Sequence, residues 1–116
     1  MGLDLQLLKD FWKKVHLLQL GVEVKTLKKF GKINILVNNH GINPSFGHIL
    51  DVSGEAWDKL FEVNIKAGFR MTKLVAPHIA KEGGGAIIFN GSCSGYRSPP
   101  GVVAYAVTKT TMIGLT

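Results

Sequence analysis

A chain of 116 residues, 46% hydrophobic and 19% charged, has the make-up of one ordinary globular unit with a small core. Its one cysteine, Cys93, excludes an internal disulfide, and no apolar run approaches the roughly 18 residues needed to span a membrane. The net charge of +6 is uneven, since residues 1–32 carry seven Lys against Asp4, Asp10 and Glu23; we read this excess as a solvated helix face rather than a nucleic-acid surface.

Over residues 5–20, Leu8, Phe11, Trp12, Val15 and Leu18 recur at helical spacing, with Lys9, Lys13 and Lys14 off the stripe. This predicts a basic amphipathic helix that Gly21 interrupts, with another turn or two over Val22–Phe30. The lysines also break up any signal-peptide core, and Gln6 stands where a myristoylation signal needs Ser or Thr. Gly31 and Lys32 close the segment. Ile33–Val37 reads as a strand covered on both faces, as in a parallel sheet. Asn38 to Gly47 is rich in turn formers and reads as a loop. Ser53 is placed to cap a long helix reaching about Lys81, with Glu55 in its first turn. A bend is expected near Asn64 and a further irregularity at Pro77. Gly83, Gly84 and Gly85 stop that helix, and Ala86–Phe89 forms a second buried strand. Asn90 to Gly101 is loop, and a last helix starts near Val102 and runs to the end. The expected fold is α/β: a piece of a doubly wound parallel sheet in which one βαβ unit, residues 33–116, follows the helical segment 1–32. It is expected to form one unit with no domain boundary.

The strongest chemical signal is Tyr105 followed four residues later by Lys109 at the start of the last helix. Residues four apart share a helix face, with Cβ atoms roughly 5–6 Å apart. A free phenol titrates near pH 10, too high for proton transfer at neutrality, and an ammonium one turn away favours the phenolate. Such pairs also arise by chance on many helices. The setting adds weight: Ser92 and Asn38 each follow the carboxyl end of a strand, where open parallel sheets build ligand sites. Asn64, in mid-helix, is a further candidate; its plain alternative is a helix irregularity. His16, His40, His48 and His78 show no metal-ligand spacing, and none is read as a ligand.

Taken together, residues 31–116 resemble the short-chain dehydrogenase/reductase family. Asn38-Asn39-His40-Gly41 stands where the family has Asn-Asn-Ala-Gly, Asn64 matches its helix asparagine, Ser92 its serine, and Tyr105 with Lys109 its Tyr-x-x-x-Lys signature. The segments 43–47, 57–59 and 114–116 resemble a subgroup of NADP-dependent reductases of carbonyl compounds, retinal included. The resemblance implies a Rossmann-like fold of which the chain holds the fourth and fifth strands. It also implies a cofactor, NADP or NAD, and hydride transfer to or from a small carbonyl or alcohol. Tyr105 would exchange the proton with the substrate oxygen. Lys109 would stabilise the phenolate and bond the nicotinamide ribose, and Ser92 would orient the carbonyl. Asn64 would hold a water linking Lys109 to solvent, and Asn38 would line the adenosine side of the cofactor.

Two departures from the pattern stand out. His40 replaces a small residue in the turn after the first strand, where an imidazole either crowds the nucleotide or turns to solvent. The family's Gly-rich phosphate loop, T-G-x-x-x-G-x-G, does not occur in the sequence. The chain is therefore expected to be truncated at both ends and inactive alone. The alternatives are a short isoform or pseudoenzyme that pairs with a full-length relative, or a role for the basic N-terminal helix at a membrane surface or acidic partner. An intracellular location is expected, cytoplasmic or peroxisomal, and the partners are a small substrate and possible further copies of the chain.

Overall fold

The computed structural model describes residues 21–116, so the amphipathic helix expected over 5–20 lies outside the described residues. Residues 21–30 are helical (α1), Gly21 included. Next come β1 (Ile35–Asn38), a 3₁₀ turn (Ile49–Asp51), α2 (Gly54–Phe61), a π turn (Glu62–Lys66) and α3 (Ala67–Lys81). Then follow β2 (Ala86–Phe89), a second 3₁₀ turn (Cys93–Gly95) and α4 (Val103–Ile113). The two strands pair in parallel, Ile35 opposite Ala86 and Asn38 opposite Phe89, so α2 to α3 is the crossover of a βαβ unit.

Local chemistry explains the boundaries. The Ser53 hydroxyl accepts the Ala56 amide at 3.1 Å, and Glu55 lies in the first turn of α2, near its positive end. Ser53→Ala is expected to cost about 1 kcal/mol, the usual loss of an N-cap, measurable as a shift in the urea midpoint. The helix then continues without a break into the π turn, which stands where a bend was expected near Asn64. No irregularity appears at Pro77, which lies inside α3. The bond it cannot donate would have gone to Lys73, and both residues lie on the exposed side, where water reaches the carbonyl. At the far end Gly83 (φ 87°) and Gly84 (φ 118°) adopt left-handed backbone. Their amides reach Ala80 O at 3.0 Å and Ile79 O at 3.1 Å, the paired bonds of a Schellman close. α4 closes at Ile113, with the Gly114 amide bonding back to Thr111 O at 3.0 Å; it was expected to run on.

The core lies on one side of the sheet. Ile33, Val75 and Ile79 are buried, with Leu27, Leu36, Met71 and Ile87 packed against them, so α1 and α3 cover the face carrying Leu36 and Ile87. His78 Nε2, 2.6 Å from Glu23 Oε1, ties α3 to α1. The opposite face is open: Ile35, Val37 and Ile88 are 62%, 56% and 47% exposed. The strands are therefore covered on one face among the described residues, not on both as their apolar sequence suggested. α4 packs beside α2 and the π turn, where Leu60 and Met112 are fully buried.

Candidate active site

Four of the buried polar side chains, Asn38, Asn64, Thr108 and Lys109, gather where the strands end and α4 begins. Burial of such groups is tolerated when they are hydrogen-bonded, and here the bonds form a brace. Asn64 Oδ1 accepts the Ile42 amide at 2.8 Å. Its Nδ2 donates to Ile42 O and to Thr108 Oγ1, both at 3.0 Å. Thr108 Oγ1 in turn donates to Tyr105 O at 2.7 Å. One asparagine thus fixes the loop after β1, the π turn and the first turn of α4 relative to one another. Both donors of Asn64 are committed, so a water held there would use the remaining lone pair of Oδ1 or the backbone.

Lys109 is almost fully buried, and its Nζ donates to Asn90 O at 2.8 Å, at the end of β2. The ammonium also lies 5.5 Å from the centroid of the Tyr105 ring, within cation–π range. The close approach of α4 to the second 3₁₀ turn depends on Gly95. A Cβ there would sit 2.9 Å from the Lys109 carbonyl carbon and 3.0 Å from its oxygen. Gly41 lies equally near the working groups: a Cβ on it would be 3.6 Å from Lys109 Nζ and 3.8 Å from Asn64 Oδ1.

Tyr105, Lys109, His40, Gly41, Asn90 and Gly91 line one cavity of about 360 Å³, with Asn39, Ile42 and Asn43 completing it. Among the described residues no carboxylate lines it. Ser92 lies next door rather than inside: with Phe89, Tyr96 and Met112 it lines a neighbouring hollow of about 220 Å³, and Gly91 borders both. The Ser92 hydroxyl accepts the Ser94 amide at 3.2 Å. Asn38 is buried behind the cavity, and its Nδ2 has no partner among the described residues. The structure therefore brings Tyr105, Lys109 and, through Thr108, Asn64 together, and sets Ser92 and Asn38 at the edges.

His40 does not turn to solvent. A Cβ on Gly68 would fall 3.4 Å from His40 Cε1 and 3.5 Å from Nε2, so the ring rests on the bare backbone of α3, and its Nε2 is buried without a partner among the described residues. Burial, and secondarily the positive charge of Lys109, hold this imidazole below its ordinary value of 6.5. The unfolded chain therefore takes the proton first as pH falls through 6.5, and His40 withdraws stability on the acid side of that value.

Thr108 and Asn90 were missed by the sequence reading. Thr108 lies three residues beyond Tyr105 on the same face, and Asn90 directly follows β2. The same-face and strand-end rules that singled out Lys109 and Ser92 also point to these two.

The family profile described as short chain dehydrogenase matches residues 21–116. Over 91 residues the chain is 80% identical to Dehydrogenase/reductase SDR family member 4 of Caenorhabditis elegans, covering 78% of this chain and 35% of that protein. It thus spans about a third of that relative's length. The crystal structure of NAD+-bound xylitol dehydrogenase superposes with a TM-score of 0.81 at 27% identity, over 87% of this chain and 39% of the other. ElxO with NADP bound superposes at 0.78 with 31% identity, over 90% and 41%. Among the described residues no helix is long and apolar enough to cross a membrane.

Proposed function

The chain belongs to the short-chain dehydrogenase family, and on that premise we propose that it carries the proton-transfer half of a nicotinamide-dependent carbonyl reductase, with Tyr105 as the acid. The observation that carries this reading is the shared cavity in which the buried Lys109 ammonium faces the Tyr105 ring.

The residues present suit the nicotinamide and ribose half of such a cofactor. The cavity offers a phenol, an ammonium and side-chain amides, with no carboxylate among the described residues that line it. Its 360 Å³ is at the small end of ligand pockets, roughly 300–1,000 Å³, and below the size of a whole dinucleotide. Lys109, Tyr105 and the loop 39–43 would hold the ribose side. When bound, NADPH or NADH supplies a hydride to the carbonyl carbon.

The chain's own groups do the rest. Tyr105 gives its hydroxyl proton to the carbonyl oxygen, so the carbonyl becomes an alcohol and the phenol a phenolate, which regains its proton from solvent. Lys109 draws the negative charge that develops on Tyr105 Oη. Fixed to Asn90 O by one of its three donors, it keeps two for a ligand. Asn64 holds Tyr105 in place through Thr108. Ser92, one residue beyond the cavity wall, can orient the carbonyl from the neighbouring hollow. Because the sequence contains no Gly-rich phosphate loop, the 116-residue chain alone is expected to hold the dinucleotide weakly.

A chimera tests the reading. The matched segment of the C. elegans relative is replaced by the corresponding residues of this chain, and oxidation of NADPH by a panel of ketones and aldehydes is followed. Turnover is expected, together with no change in NADPH fluorescence when the isolated 116-residue chain is added at micromolar concentration. A chimera that folds and binds NADPH but reduces no carbonyl rejects the proposal.

A further inference from the structure

Lys109 is held at both ends of its side chain, and the two holds trace back to the same loop. From the helix side, Asn64 ties α4 to Ile42 through Thr108. From the ammonium side, Lys109 Nζ donates to Asn90 O at 2.8 Å. Asn90 is itself tied to the loop after β1. Its amide donates to Asn38 O at 3.0 Å, the last backbone bond between the strand ends. One step further, where Asn39 stands opposite Asn90 in the register, Asn90 Nδ2 donates to Asn39 Oδ1 at 2.6 Å. A rung of side chains thus extends the ladder past the point where the backbones part. The bonds close a circuit that runs from the loop after β1 through Asn64, Thr108 and α4 to Lys109, then through Asn90 and Asn39 back to the loop.

Stability does not explain the rung between Asn39 and Asn90. Both residues are exposed and water competes for each amide, so the net contribution to folding is small. Its place in the circuit does explain it. The peptide plane that carries Asn90 O is bounded on the far side by Gly91, which restrains rotation less than any other residue. The direction of that carbonyl therefore depends on what holds Asn90 itself. Asn39, Asn90, Gly91, Tyr105 and Lys109 all line the one cavity, whose remaining titratable group among the described residues is His40.

We propose that Asn39 and Asn90 are positioning residues for Lys109: the amide bridge between them fixes the Asn90 carbonyl, and that carbonyl keeps the ammonium turned toward the Tyr105 ring. The inference deepens the proton-transfer reading above and rests on it for its consequence in turnover, but not for the hold on the lysine. With the bridge open, the Asn90 peptide swings and the ammonium loses its fixed acceptor. It then spends less time at its 5.5 Å station over the ring and stabilises a phenolate at Tyr105 less.

Two measurements test it. In the 116-residue chain, nitrogen–proton NMR follows exchange of the Lys109 ammonium protons with water. Asn39→Ala and Asn90→Ala both keep the Asn90 carbonyl, yet each should speed that exchange about 2–10-fold, the population shift that one such bond supports. The double variant should be no faster than the single ones, because the two side chains make one bond. Ser53→Ala, which loosens α2 away from the bridge, should leave the rate unchanged. Exchange as slow as the parent's in either single variant, additive effects in the double, or an equal rise in Ser53→Ala overturns the proposal. This arm needs no turnover, so it decides the hold on Lys109 even where the oxidoreductase reading fails. In the chimera, the alkaline midpoint of carbonyl reduction should move up in pH equally in both single variants, in the same direction as in Lys109→Met and by less. If Lys109→Met shifts that midpoint and the bridge variants do not, the positioning role is overturned and the proton-transfer reading stands. If Lys109→Met does not shift it either, both fall.

Discussion

Tyr105→Phe in the chimera is expected to lower turnover by about 10²–10⁴-fold, the usual contribution of a positioned proton donor, and to leave NADPH affinity nearly unchanged. The substitution removes one hydroxyl and little else. The ring that Lys109 faces at 5.5 Å remains, and the bond from Thr108 goes to the backbone oxygen of residue 105, not to its side chain. The brace from Ile42 through Asn64 to α4 therefore survives, and the loss is confined to proton transfer. Initial rates and fluorescence titration of NADPH on the same samples separate the two effects. A Phe variant that turns over at the parent rate ends the assignment of Tyr105 as acid.

The second large effect concerns stability. Asn64→Leu is close in size but deletes three hydrogen bonds at once, to Ile42 N, Ile42 O and Thr108 Oγ1. The partners stay partly or wholly buried, and each unsatisfied group costs about 1–3 kcal/mol. Some relaxation is expected, so the loss should be about 3–5 kcal/mol, a large share of the 5–15 kcal/mol that holds an ordinary domain together. Urea unfolding followed by tryptophan fluorescence measures it. Thr108→Val should cost less, and the double variant should fall short of the sum, because both residues belong to one network. A loss below about 1 kcal/mol in Asn64→Leu would mean that the three bonds are made no better in the folded chain than in water.

Much of this was readable from residue order. Ser53 before Gly54-Glu55-Ala56 marks a helix start by a mechanism that needs no partner elsewhere, and the triple glycine marks its end in the same way. The strands were found because Ile35-Leu36-Val37 and Ala86-Ile87-Ile88-Phe89 are short, apolar and bounded by turn formers. Their burial was misjudged for a physical reason. An apolar run states what a strand would accept on its faces, and what covers those faces depends on residues distant in sequence. Within the site, Tyr105 and Lys109 were legible because one helical turn fixes their relation. The position of Ser92 in a neighbouring hollow was not, since the path of a loop is set by its own bonds, here the Ser94 amide on Ser92 Oγ. His40 was flagged as out of pattern, but its resting place depends on Gly68, twenty-eight positions later, and no local rule links the two.

The π turn at Glu62–Lys66 has a consequence for which changes the chain can absorb. Leu60 and Ile79 are both buried, yet nineteen positions separate them, and five ordinary helical turns take up about eighteen. The wide turn takes in the extra residue and so keeps the two halves of the rod in phase. Deleting any one residue between 62 and 66 would let the segment relax into regular helix and rotate everything after it by about 100°. Ile79 and Val75 would then swing away from the sheet and Gly68 away from His40. The length of this stretch is fixed by the geometry on either side, as firmly as the side chain of Asn64 is fixed by its bonds.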